Sequence, residues 1–478
     1  INSASLLFDG APEGPITFSG STNRDGNDWA FDLGLTGPNL TVDAQGLAID
    51  PTGADGEIEG EMIARADDLS IFSELANSAL AGNIAVDLKG GLALDLEQFD
   101  LDGSVTGSGL SVGQAQVDQL IAGDVLLDID ASRNEEAIDL DTFTVSTHLL
   151  AVDVQGELGA RASSIAIDAR LADVAPFAAG FSGPLGVTGT IGQNGSGANF
   201  VPDLSLTGPG GTEATLRGET APDFSTVNIA LDGFAPLGLI NQFIQPRSLA
   251  GNVGFELAVN GAPTVENVTG VITTSGTRLV DPSIRINFDD ISGNVSLENG
   301  RANVAMVAIP QDGGQISIEG PIALTPPLDA NVTIRLNDAG FVDPRLFETQ
   351  IDGTIELAGP LQGGASITGS LIIGNTTVRI PSSSLGGAGS IPYIIHINEP
   401  AAVRSTRRRA GLIKEETAET ARSGPAFPID LRISAPGQIF VRGRGLDAEF
   451  QGDVRVTGTS NDVVPIGDFS LVRGRLDI

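Results

Sequence analysis

The stretch GNVSLENGRANVAMVAIPQDGGQISIEGPIALTPPLDANVTIRLND, Gly293 to Asp338, decides the fold. Apolar and polar residues alternate through it with period two, which sends successive side chains to opposite faces of a sheet. Gly, Pro, Asn and Asp divide it into five strand-length segments: GNVSLENG, RANVAMVAI, GQISIEG, PIALTP and DANVTIRLND. Short strands punctuated in this way read as an antiparallel meander with one apolar and one wet face.

The same grammar runs outward in both directions. In GDVLLDIDA, Val125, Leu127, Ile129 and Ala131 share one face, while Asp124, Asp128 and Asp130 point away with Leu126. A longer phrase recurs four times, over 66–90, 171–192, 231–261 and 336–359: a strand ending at an Asp, a short insert, then Gly and a new strand. In the first copy, ADDLSIFSELANSALAGNIAVDLKG, Asp68 can cap a helix whose Leu69, Phe72, Leu75, Ala76, Ala79 and Leu80 fall at helical spacing. Leu237–Ile244, between Pro236 and Pro246, can do the same; the copies at Val174 and Phe341 are turns. The junction Asp residues are Asp68, Asp173, Asp232 and Asp338, too far apart for a tight solenoid. The expected class is therefore all-β, an elongated array of repeated meanders with short inserts. The phrases divide it into 1–90, 91–192, 193–261, 262–359 and 360–478, the last holding a charged loop at 403–424.

Composition agrees. Sixty-two Gly with 20 Phe, one Trp and one Tyr describe many short strands packed mostly by aliphatic side chains. Twenty-six basic against 61 acidic residues give a net charge of −35, which disfavours nucleic acid as a partner. The charge is uneven, with 14 basic and 51 acidic residues in 1–400 but 12 and 10 in 401–478. With no Cys, disulfides and thiolate chemistry are excluded. The longest apolar run, Val304–Ile309, is far below the roughly 18 residues of a membrane-spanning helix. The chain opens at Ile1 without a leader and stops inside an alternating stretch, and is expected to be part of a longer protein.

Reaction chemistry finds no foothold. His148 and His396, both in strand-like text, are the only histidines, and nothing links either to a nucleophile or a ligand set. Asp128, Asp130, Ser132 and Asn134 begin like a calcium loop, but Arg133 stands where the loop needs Gly and Asp139 where it needs Glu. An acidic hairpin turn is the better account. The Gly-rich run from Leu385 lacks the Lys of a phosphate loop. No catalytic, cofactor or metal residue is assigned, and a non-enzyme is expected. Residues 403–424 place a basic block before an acidic one; they read as a solvated loop, with lipid headgroups or a partner as the sharper alternative for Arg404, Arg407, Arg408 and Arg409.

The closing text from Pro428, with APGQIFVRGRGLDAEFQGD, the following VTGT, Pro465-Ile466-Gly467 and FSLVRGRLDI, resembles the C-terminal region of the TamB family. LVDPSIRINFDDISGNVSLENGR from Leu279 and GPIALTPPLDANVTIRLNDA from Gly320 are similar to the segments that precede it in that family. The resemblance implies a curled, taco-like groove with an apolar interior, as in AsmA-like, bridge-like lipid transfer proteins. It further implies a periplasmic rod anchored in the inner membrane of a Gram-negative bacterium by an N-terminal helix not present here. Its expected roles are carriage of phospholipid toward the outer membrane and assistance to outer-membrane proteins such as autotransporters. Its expected partners are phospholipid acyl chains and an outer-membrane assembly barrel of the TamA/BamA type.

Alternation assigns the apolar lining to Ile355, Leu357, Ile367, Leu371, Ile373, Ile439, Val441, Val454 and Val456. From pattern alone such a face fits a packed core as well as a lipid-lined groove. The competing reading is a secreted, acidic β-repeat adhesin with dry cores.

Overall fold

A computed structural model describes residues 14–52, 56–95, 97–134, 137–159, 162–193, 195, 197–282, 285–380 and 426–477. The class is all-β and overwhelmingly antiparallel. The described residues fall into two compact units, one within 1–244 and 252–270, the other within 245–251 and 271–478.

In the first unit β1 (Thr17–Asp25), β2 (Asp28–Gly37), β3 (Leu40–Ile49), β4 (Glu57–Ala66), β5 (Ala81–Ala93), β6 (Phe99–Ser111) and β7 (Asp124–Arg133) pair antiparallel, each with the next. The meander continues through β8 (Ala137–Ser146), β9 (Leu150–Gly159), β10 (Ser163–Leu171), β11 (Leu185–Gln193), β12 (Phe200–Gly208), β13 (Thr212–Thr220) and β14 (Val227–Pro236). The chain then makes β15 (Ser248–Ala250), part of the second unit, before β16 (Asn252–Gly261) pairs with β14. Cross-strand partners share a face, so one side carries Phe31, Met62, Leu88, Leu101, Ile129 and Val154, while the other carries Asp32, Glu61, Asp102, Asp128, Asp153 and Asp168.

In the second unit β15 pairs with β17 (Val268–Asp281). β18 (Ile286–Glu298), β19 (Arg301–Pro310), β20 (Gln315–Ala323), β21 (Asp329–Asp343), β22 (Phe347–Pro360) and β23 (Ser366–Ile373) follow as a meander. β23 and the short β24 (Thr376–Arg379) both lie parallel to β25 (Pro428–Gly443). β26 (Leu446–Thr459) and β27 (Asp462–Leu476) complete the unit antiparallel. Its core is Ala308, Ile316 and Ala339, with Phe288, Ile291, Ile334 and Phe341 packed against them.

Several local expectations change. GQISIEG and PIALTP form one strand, β20, because Gly320 is not a turn. Its φ of +141° is open to Gly, and a Cβ there would collide with the carbonyl oxygen of Asn331 on β21. The helix expected over 69–80 is a 3-10 turn, Leu69–Phe72, and one α-turn, Ser73–Ala76. Asn77 ends it in a left-handed conformation, φ 47°. Asp68 does cap it, accepting from the Ser70 N–H at 2.9 Å. Asp173 caps its turn likewise, accepting from the N–H groups of Ala175 and Gly183. Asp232 instead sits mid-strand opposite Glu256, and Asp338 sits at a bulge in β21. The residue capping the fourth turn is Asp343, which accepts from the Arg345 N–H at 2.9 Å. Leu237–Phe243 is a 3-10 segment. His148 lies in the hairpin turn between β8 and β9, not in a strand. Asn134 closes the acidic hairpin by accepting from the Ala137 N–H. His396, Arg404, Arg407, Arg408, Arg409 and the 403–424 loop lie outside the described residues.

Candidate functional site: the apolar sheet face

The apolar face of the second unit is built by register. Ile355 stands opposite Ile334 on β21 and Gly369 on β23; Leu357 opposite Val332 and Ile367. Ile351 pairs with Ile373, and Gly353 with Leu371. Across the parallel ladder Ile367, Gly369 and Leu371 face Ile429, Leu431 and Ile433. Leu431 and Ile433 in turn face Val456 and Val454. Beyond the Ala435/Ile439 bulge, Ile439 meets Phe450 and Thr376, and Val441 meets Ala448 and Val378. Phe450, Val454 and Val456 have the same parity along β26, so the ladders bring all nine residues selected by alternation to one face.

Alternation assigned Leu371 and Ile373 of LII at 371–373 to the face and passed over Ile372. The register agrees: Ile372 pairs with Asp352 on the opposite face, where it is exposed. The face also includes residues not selected beforehand, among them Phe347, Val378 and Phe450. Phe450 was legible in AEFQG by the same alternation, but Val378 belongs to a four-residue strand too short for any period to register.

Burial along the face is graded. Ile439, Ala435 and Ala448 are buried, whereas Ile355, Leu357, Ile367, Leu371, Ile373, Val441, Val454 and Val456 are half-buried. On β27 the residues that continue the face, Val463, Phe469, Leu471 and Leu476, are exposed. A cleft of about 580 Å³ opens where β23 breaks before β24, lined by Phe347, Ile373, Val378, Ile439, Val441 and Phe450. Its polar lining is Thr349 and Thr376, whose hydroxyls bond each other at 2.6 Å, and Arg379, which pairs with Glu348 at 3.3 Å, so the wall offers a ligand little but hydrocarbon. The first unit has a counterpart of about 490 Å³, lined chiefly by Phe31, Ile58, Met62, Leu88, Leu92 and Phe99. Gly46, Gly60 and Gly90 stand side by side across β3, β4 and β5 there, leaving a lane without side chains.

The opposite face of the second unit is polar and ion-paired. Arg335 meets Glu319 at 2.6 Å, and Arg455 donates to both oxygens of Asp430 at 2.7 Å. That fork holds the Asp430 carboxyl below its usual range. Two further pairs have nearly buried acids: Arg247 with Asp281 at 2.6 Å, and Arg285 with Asp343 at 2.7 Å. The Arg345 N–H, and then Arg285, hold the Asp343 carboxyl low. Among the described residues no group of three His, Asp or Glu side chains is placed to hold a metal ion. No helix among them is long and apolar enough to cross a membrane. What this arrangement can do chemically is desolvate apolar chains along one face while remaining wetted on the other.

Residues 301–478 match the family model of the TamB C-terminal domain. Neither a curated protein nor a solved structure matches the chain.

Proposed function

We propose that the chain is part of a TamB-like protein of outer-membrane assembly, a reading supported by the match of residues 301–478 to the TamB C-terminal domain, and that its apolar sheet face carries phospholipid acyl chains between the inner and outer membranes. The protein acts from the periplasm as the working part of an inner-membrane-anchored TamB-like protein. Through an outer-membrane barrel of the TamA/BamA type it assists the insertion of autotransporters and similar proteins. The successive meander phrases are its repeating units.

The observation that carries this reading is that a single parity stays apolar from β18 through β27 and remains only half-buried over most of that length. A dry core would be expected to close over such residues, because each exposed Leu, Ile or Val leaves apolar area in water at about 25 cal/mol per Å². An acyl chain along the face would remove that area from water without requiring any specific polar contact.

The test is charge placed on alternate residues. Ile355→Asp with Leu357→Asp should stop phospholipid transfer between donor and acceptor vesicles while leaving the circular dichroism unchanged. Thr354→Asp on the other face of the same strand should transfer normally. Equal transfer by both variants would remove the proposal.

A further inference from the structure

Three connections at one end of the first unit converge on a platform whose one charged residue, Asp173, is engaged by the N–H groups of Ala175 and Gly183. Between β10 and β11 the chain turns through 172–184, where Phe177 and Ala178 N–H groups both donate to the Val174 carbonyl and Phe181 N–H to that of Ala178. β12 passes to β13 through Pro209–Gly211, and β14 leads into Leu237–Phe243. These segments touch. The Phe181 and Phe243 rings lie 5.5 Å apart at 51°, and a Cβ on Gly210 would stand 2.9 Å from Pro236 and 3.2 Å from Leu239. The outward side chains are apolar: Phe177 is 38%, Ile240 37% and Phe243 59% exposed.

The sequence around the platform is unusual for this chain. Residues 174–202, 204–212 and 233–246 contain no Asp, Glu, Lys or Arg, in a protein with 61 acidic residues. We propose that this platform docks on a zwitterionic lipid surface. It has no cation for anionic headgroups, its one anion, Asp173, is already engaged by two backbone N–H groups, and it presents exposed aromatic rings that suit the boundary between headgroups and acyl chains. The acidic face of the same unit repels an anionic membrane, so a neutral one is selected. Leu171 and Leu185, opposite each other at the adjoining ends of β10 and β11, carry the apolar surface from the platform onto the sheet face. The inference concerns where a membrane touches, and it stands whether or not that face accepts acyl chains.

Flotation of the whole chain with phosphatidylcholine vesicles tests it. The wild type should float, and Phe177→Ser with Phe243→Ser should weaken partitioning by about tenfold, since binding scales with the apolar area inserted. Ile240→Ser with Phe243→Ser should give a similar loss. Phe224→Ser, at an equally exposed ring in the turn between β13 and β14 at the other end of the strands, should change nothing. Adding anionic phosphatidylglycerol should reduce binding. The proposal is overturned if the wild type stays at the bottom of the gradient, if Phe224→Ser loses as much as the platform variants, or if anionic lipid strengthens binding. It is also overturned if the platform substitutions abolish a concentration-dependent dimer, which would make a second copy the occupant.

Discussion

Replacing Gly320 with Ala should destabilise the second unit by about 3 kcal/mol, the upper part of the range for holding a side-chain-bearing residue in a glycine-only backbone region. Gly320 lies inside β20 with φ +141°, between Val304 on β19 and its neighbours on β21. The new Cβ would collide with the Asn331 carbonyl oxygen and approach the Val332 Cα at 2.9 Å. Both are backbone atoms of a paired strand, so relief requires moving β21 itself. Gly374→Ala is the matched control: its Cβ would meet the Gln350 carbonyl oxygen at 3.4 Å, and the change should stay within about 1 kcal/mol. With urea slopes of about 1 to 3 kcal/mol per M, the Gly320 variant should unfold at least about 1 M earlier and the control should barely move. Equal midpoints for the two variants would mean that Gly320 and Pro321 form a turn, and that β20 is two strands as the sequence reading had it.

Three more outcomes follow from the same ladders. Ile316→Ala, in the core of the second unit, should cost about 2 to 5 kcal/mol, whereas Ile309→Ala, on the exposed face of the adjacent strand, should stay within about 0.5 kcal/mol in urea unfolding. Asp343, whose folded pKa is depressed, contributes stability that is full above the ordinary carboxylate value of about 3.9 and is lost as pH falls through its lower folded value. Asp343→Asn should therefore narrow the gap between unfolding midpoints at about pH 6 and about pH 3, and an unchanged gap would refute the assignment. Arg455→Ala should have little effect on stability despite its two-pronged contact with Asp430, because both partners are about half exposed, and what effect there is should vanish in roughly 1 M salt.

Strand alternation was the most legible signal, because one buried face imposes period two on every strand regardless of distant contacts. It sufficed to put Ile355, Leu357, Ile367 and four others on their strands, and Ile439 and Val441 beyond a bulge that no local pattern announces. Glycine was read too uniformly. At Gly300 and Gly313 it does make turns, but at Gly90, Gly320 and Gly353 it stands inside strands on the apolar face, where the next strand leaves no room for a Cβ. The two uses are identical in text and differ only in what lies across the ladder. Two of the four Asp junctions failed for a related reason: Asp232, Asp338 and Asp343 are equally good caps by residue type, and only the backbone N–H groups within reach distinguish Asp343. The parallel placement of β23 and β24 beside β25 was invisible, since alternation within a strand is the same whether its neighbour runs parallel or antiparallel.

The most direct test of the central claim is a photo-crosslinker walked one residue at a time from Thr354 to Ala358 on β22 and from Gln438 to Arg442 on β25, in cells, with captured lipid as the readout. The account predicts capture at Ile355 and Leu357 and at Ile439 and Val441, and none at Thr354, Glu356, Phe440 or Arg442. Capture without alternation, or none at the apolar positions, would contradict it.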